Sequence, residues 1–189
     1  MPPSSMILVA DLGNQLLKLG QVVGDRIEAS HCLEITDQVR DGGFSPSQMP
    51  EAVVYASVNP ARDQVFDDWI ARRFSLNARK LGRDLPIPIR TRCSGVGADR
   101  LLNALAAVRR FPGGAIVVDV GTAVTVDVVS PEEEFLGGAI FPGPHLGAWA
   151  LAEKAAQLFH VDPVPPVQAI ATETAEAIRS GLSTASLEV

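Results

Sequence analysis

Two carboxylates in this chain stand in matching surroundings. Asp11 opens Asp11-Leu12-Gly13-Asn14, and Asp119 opens Asp119-Val120-Gly121-Thr122. Each follows a short apolar run, residues 6–10 (MILVA) and residues 115–118 (AIVV), and each precedes a second apolar run. A carboxylate at the end of a buried strand is a costly place for a charge, so it calls for a cation or a donor opposite it. The glycine two residues on lets backbone N–H groups approach a ligand, and Thr122 adds a hydroxyl beside them. Taken singly, either stretch fits an ordinary hairpin as well, because Asp and Gly are common turn residues.

The pair says more than either half. VADLGNQLLKLGQVV and VVDVGTAVTVDVV both read apolar strand, Asp, apolar residue, Gly, polar residue, second apolar strand, and a turn and third strand follow each. A repeated three-stranded unit with an Asp-x-Gly hairpin points to duplication. Two such hairpins facing one another would make a cleft suited to a metal–triphosphate, with carboxylates for cations and glycine turns for phosphate oxygens.

The elements that must position these residues follow from periodicity and punctuation. Strands are expected at 6–10, 16–23, 27–33 and 52–57 in the first half, and at 115–118, 124–129 and 135–140 in the second; 41–50 is loop. Asn59-Pro60 caps a helix whose stripe is Phe66, Trp69, Ile70 and Phe74. The prolines of 84–89 (DLPIPI) demand extended chain. A glycine-rich loop, 93–97, leads into a helix over 98–109 with Leu101, Leu102, Leu105 and Val108 inward. A long helix is expected over 146–159 and a last one over 172–180. Glu132, Glu133 and Glu134 read as a solvated turn; His31, His145 and His160 share no spacing.

Composition bounds the function. With 189 residues, 47% hydrophobic and 20% charged, the chain can bury a substantial core. A net charge of −6 argues against general nucleic-acid binding, which needs a basic face. The two cysteines show no metal or disulfide spacing, and no apolar run reaches membrane-spanning length. The expected location is the cytoplasm, with no membrane partner and no signal peptide.

The motifs resemble a known family. Duplicated Asp-x-Gly hairpins mark the actin-like ATPase fold of sugar kinases, heat-shock chaperones and actin. DLGNQLLK (11–18), GADR (97–100), DVGTAVT (119–125), GGAIFPG (137–143) and, more weakly, ETAEAIRSG (173–181) look like type III pantothenate kinase. The resemblance implies an α/β chain of duplicated actin-like, ribonuclease H-like domains with mixed sheets, at 1–110 and 111–189. It implies transfer of the ATP γ-phosphoryl group to the primary hydroxyl of pantothenate, the first step towards coenzyme A, with Mg²⁺, a monovalent cation (K⁺ or NH₄⁺) and a homodimer.

Residue by residue, the resemblance places ATP phosphates on Asp11, Leu12, Gly13, Asn14, Gln15, Leu16, Leu17 and Lys18, with Thr122 also on ATP. It makes Asp99 the general base, and Gly97, Ala98, Asp99, Arg100 and Thr174 pantothenate contacts. It puts the monovalent cation on Asp119. Three positions depart from the family pattern: Gln15 replaces a Thr, Arg90 falls near an aromatic that lines the pantothenate pocket, and Glu173 replaces an Asn. The family continues with a helix, a strand, a Thr-Gly-Gly turn that holds adenosine and a final helix, so the second domain is expected to be incomplete in this chain. The competing expectations are a non-catalytic actin-like relative that binds a metabolite or protein, like the Bvg accessory factor, and another actin-like phosphotransferase such as a sugar kinase, against which the GADR loop argues.

Overall fold

The computed structural model describes residues 5–13, 16–37, 39–40 and 44–187; for residue 40 and 184–187 it describes the backbone alone. The chain divides into two compact units, Met1–Pro88 with Gly95–Leu102, and Ile89–Ser94 with Asn103–Val189.

In the first unit, β1 (Met6–Leu12), β2 (Leu16–Val23) and β3 (Arg26–Ile35) form an antiparallel meander. Gly24, at φ 63°, makes the tight turn from β2 to β3. A two-residue strand, β4 (Val39–Arg40), pairs with β3. β5 (Ala52–Ser57) lies parallel to the free side of β1, and β6 (Ala78–Lys80) lies parallel to β5. The sheet order is β4-β3-β2-β1-β5-β6. Strict alternation sends Met6, Leu8, Ala10 and Leu12 into the core, so Asp11 emerges on the opposite face, exposed. Between β5 and β6 runs α1 (Pro60–Phe74). Asn59 caps it by accepting from the Ala61 N–H at 3.2 Å, Pro60 starts it, and Ser75 ends it in the left-handed region at φ 57°. Its buried stripe is Phe66, Trp69, Ile70 and Phe74, as the spacing requires.

A polar cluster ties α1 to the neighbouring strands. Lys80 Nζ meets Asp63 Oδ2 at 2.6 Å, with both side chains 15% exposed. The buried Tyr55 donates its hydroxyl to Asp67 Oδ2 at 3.4 Å. Burial, with the negative charges of Asp67 and Asp63, pushes the Tyr55 phenol far above its usual range, so it stays a neutral donor. Burial also pushes the Asp67 carboxyl up; Arg83 and the Tyr55 bond oppose the shift only partly. Asp63 Oδ1 and Asp67 Oδ1 are buried without a hydrogen-bond partner. A carboxyl raised in the fold favours the folded state below its unfolded pKa, and that contribution is lost as pH rises through the folded value. Asp67→Asn keeps an acceptor for Tyr55 without the charge. It is expected to raise the thermal midpoint near neutral pH by a few degrees, with the gain shrinking towards about pH 4. Calorimetric melts across that range check it; a lower midpoint at neutral pH contradicts it.

In the second unit, β8 (Ala115–Val120), β9 (Ala123–Val129) and β10 (Glu134–Pro142) form another antiparallel meander, with β7 (Arg90–Thr91) parallel to β10. The order is β7-β10-β9-β8. The two meanders are the duplicated unit expected from the repeat, and with their mixed sheets they have the α/β arrangement expected of the fold. β8 departs from expectation. It is the edge of its sheet, and Ile116, Val118 and Val120 are 69%, 45% and 58% exposed, although an all-apolar run suggested burial on both faces. Composition marks a strand but not its rank in the sheet, nor which face is covered. Ser130 Oγ accepts from the N–H groups of Glu132 and Glu134, which makes 130–134 the turn expected there.

The helices also shift from their expected limits. α2 (Ala98–Arg110) buries Ala104 and Val108, while Leu101, Leu102 and Leu105 are only half-buried. α3 (Pro144–Lys154) stops five residues before Phe159, closed by the Ala155 N–H on the Leu151 carbonyl; no Gly or Pro marks that stop. α4 (Thr174–Leu187) begins two residues later and runs seven further than the 172–180 span. Among the described residues, no helix is long and apolar enough to cross a membrane.

Candidate active site

The first hairpin presents less side chain than its eight motif residues suggest. Leu12 and Leu17 face each other across the ladder and are fully buried, so their side chains serve the core and only their backbone is left for a ligand. Asp11, Leu16 and Lys18 are exposed. Asp11 and Lys18 are register partners, and their charged ends lie 3.5 Å apart. An exposed pair of this kind contributes at most about 1 kcal/mol, so Lys18 can be drawn to a phosphate at small cost. Asn14 and Gln15 lie outside the described residues.

The two glycines do not offer their own N–H groups. Gly13 N–H is donated to the Leu16 carbonyl and Gly121 N–H to the Ala123 carbonyl, both at 3.0 Å. They shape the turns, and any backbone donors for phosphate must come from the residues after them. The first turn is one residue longer: four residues separate the Leu12–Leu17 pair and three the Val120–Val124 pair. Thr122 is exposed at the tip of the second turn.

That second turn is braced from α3. The Gly143 N–H bonds the Thr122 carbonyl at 2.9 Å, and the Gly143 carbonyl accepts from Gly147 in the first turn of the helix. A side chain at 143 would lie 2.1 Å from the Gly121 carbonyl oxygen and 2.9 Å from that of Thr122. The glycine closing the GGAIFPG stretch is therefore what allows the start of α3 to touch the turn.

Asp119 is exposed at the end of β8, and Asn103 donates its side-chain amide to Oδ2 at 3.1 Å. No ion pair to Asp119 is found among the described residues, so one oxygen is available to a cation. No group of three acidic, His or Cys side chains is found among them either. A lone carboxylate suits a singly charged ion, whereas Mg²⁺ takes its remaining ligands from water and phosphate. The residues present therefore fit the ions that the resemblance implies.

In the first unit, the GADR stretch opens α2. Asp99 is half-buried in the first helical turn, where backbone dipoles favour a negative charge. Gly97 lies directly beneath its carboxylate: a Cβ there would come within 2.4 Å of Asp99 Oδ1. Ala98 and Arg100 are half-buried. In the second unit, Arg90 donates to the Glu132 carbonyl, which gives the residue near the family's aromatic position a partner in the 130–134 turn.

Thr174 is exposed at the first position of α4, beside Glu173. It lines a cavity of about 400 Å³ whose other walls include Leu151, Leu158, Ala177, Ile178 and Leu182. Arg179 pairs with Glu176 at 2.5 Å and donates to the Asp162 carbonyl at 3.2 Å, and Ser180 donates to the Ala169 carbonyl, so α4 is fastened to the segment 162–169 before it.

Within the second unit, the structure brings together Asp119, Thr122 and the start of α3. Asn103 and Gly143 were not among the residues expected to serve the site. Asn103 left one readable trace, a polar side chain four residues after Asp99 on the same helix face.

Comparison with known proteins gives the following. A family model described as type III pantothenate kinase matches residues 7–188. A type III pantothenate kinase of Thermus thermophilus is 36% identical over 193 residues, 94% of this chain and 76% of that protein. The Dehalococcoides mccartyi protein of the same name is 29% identical over 195 residues, 95% of this chain and 75% of its own length. That of Thermobifida fusca is 51% identical over 87 residues, 46% of this chain and 34% of its own. Among solved structures, a Ppx/GppA family member from Aquifex aeolicus superposes with a TM-score of 0.45 at 14% identity, over 85% of this chain and 56% of that one.

Proposed function

The chain belongs to the type III pantothenate kinase family, and from that premise we propose that it transfers the γ-phosphoryl group of ATP to the primary hydroxyl of pantothenate, the first step of coenzyme A biosynthesis. Its domains in this reading are 1–110 and 111–189, each with one hairpin. Asp99 accepts the hydroxyl proton as the pantothenate oxygen bonds to the γ-phosphorus and the bond to the bridging oxygen breaks, releasing ADP. Asp99 stands in the first turn of α2, and Gly97 leaves the space its carboxylate occupies. Arg100 grips the substrate's polar groups. Lys18 turns from Asp11 to the triphosphate, and Thr122 meets a phosphate oxygen. Asp119 would hold K⁺ or NH₄⁺, and Asp11 would face Mg²⁺. When bound, such cations supply neutralisation of charge on the triphosphate. Thr174 contacts pantothenate. We place the protein in the cytoplasm, as a homodimer.

The observation that carries this reading is the family match over residues 7–188. It is tested by incubating the chain with ATP, MgCl₂, KCl and pantothenate and measuring phosphopantothenate. Formation that requires both substrates is the expected result. A folded chain that binds ATP and forms no product overturns it.

A further inference from the structure

We infer that Asn103 is a positioning residue for the cation ligand Asp119: its side-chain amide fixes the carboxylate of β8 so that one oxygen faces the ion. The inference rests on the reading of Asp119 as the monovalent-cation ligand.

The geometry is specific. Asp119 stands next to the last residue of an edge strand, exposed, with Val118 and Val120 on either side pointing to the opposite face. The 3.1 Å bond from Asn103 Nδ2 occupies Oδ2 and leaves Oδ1. An amide is the suitable donor. A Lys or Arg at 103 would neutralise Asp119 and compete with the ion, whereas a neutral donor orients the carboxylate and leaves its charge. Asn103 is half-buried, and on helix propensity alone it is a poor choice there, where Ala or Leu would serve better. It stands one turn after Asp99 on α2, so the helix that carries the proton acceptor also carries the group that orients the cation ligand.

Hydrogen bonds to charged groups are worth about tenfold or more in an equilibrium constant. Losing this one should therefore weaken the cation site by about that factor without unfolding the chain. The test follows the thermal midpoint of the full chain in rising KCl, with tetramethylammonium chloride holding ionic strength constant. The parent chain should gain stability from KCl. Asn103→Ala, a substitution the helix tolerates, should need about tenfold more KCl for half of that gain. Asn103→Leu, branched at the same carbon and equally without a donor, should do the same. A variant with a lower midpoint but half-effect within about twofold of the parent means that Asn103 serves the fold alone, and overturns the inference. A parent chain insensitive to KCl overturns the cation reading of Asp119 itself, and the inference with it. Rates measured in parallel should fall at low KCl and recover at saturating KCl.

Discussion

Asp99→Asn lowers phosphopantothenate formation by about 10²- to 10⁴-fold, the range expected when a positioned general base is lost. The side chain is half-buried in the first turn of α2, and asparagine has nearly the same shape, so the helix start should persist. Asn can still accept a hydrogen bond from the pantothenate hydroxyl but cannot take its proton. The loss should therefore fall on kcat, with the KM for ATP little changed. Steady-state rates at saturating and limiting ATP, with a melt to show that the variant folds, are the check. If kcat survives within about threefold, Asp99 is not the base and the proton leaves by another route.

Gly143→Ala is expected to damage the second unit. The added Cβ would sit 2.1 Å from the Gly121 carbonyl oxygen and 2.9 Å from that of Thr122, and both are backbone atoms that cannot rotate away. Either the turn or the start of α3 must move, and the Gly143 to Thr122 bond is lost with it. Overpacking of this kind costs about 3 kcal/mol or more, with the broken bond included. Because Thr122 stands in the displaced turn, the affinity for ATP should fall as well. Urea unfolding gives the first effect, and the KM for ATP of the fraction that folds gives the second. A variant as stable as the parent would show that the turn and α3 are not braced through this contact.

Much of the fold could be read along the chain. The alternation of Met6, Leu8, Ala10 and Leu12 requires a strand with one buried face, and Gly24 marks the hairpin that follows. Asn59-Pro60 fixes the start of α1, and the spacing of Phe66, Trp69, Ile70 and Phe74 fixes its buried side. These signals are local, because residues within a turn or a strand repeat determine them. The end of α3 was not legible, since residues 155–159 are good helix formers and nothing between them breaks a helix. The short strands β4, β6 and β7 were missed for a related reason: two or three residues carry no periodicity.

The candidate site divides in the same way. The sequence by itself determined the duplicated Asp-x-Gly hairpins, the GADR helix start and the family, because each is a pattern of residue types at fixed spacing. Only the tertiary structure decided that Leu12 and Leu17 turn into the core, and that the N–H groups of Gly13 and Gly121 are spent within their own turns. It alone put β8 at a sheet edge, set Asn103 against Asp119 and seated Gly143 on the second turn. Those contacts join residues 16 and 21 or more positions apart. No local periodicity encodes such a pairing; it depends on how whole strands and helices pack, which is settled only when the unit closes around its core.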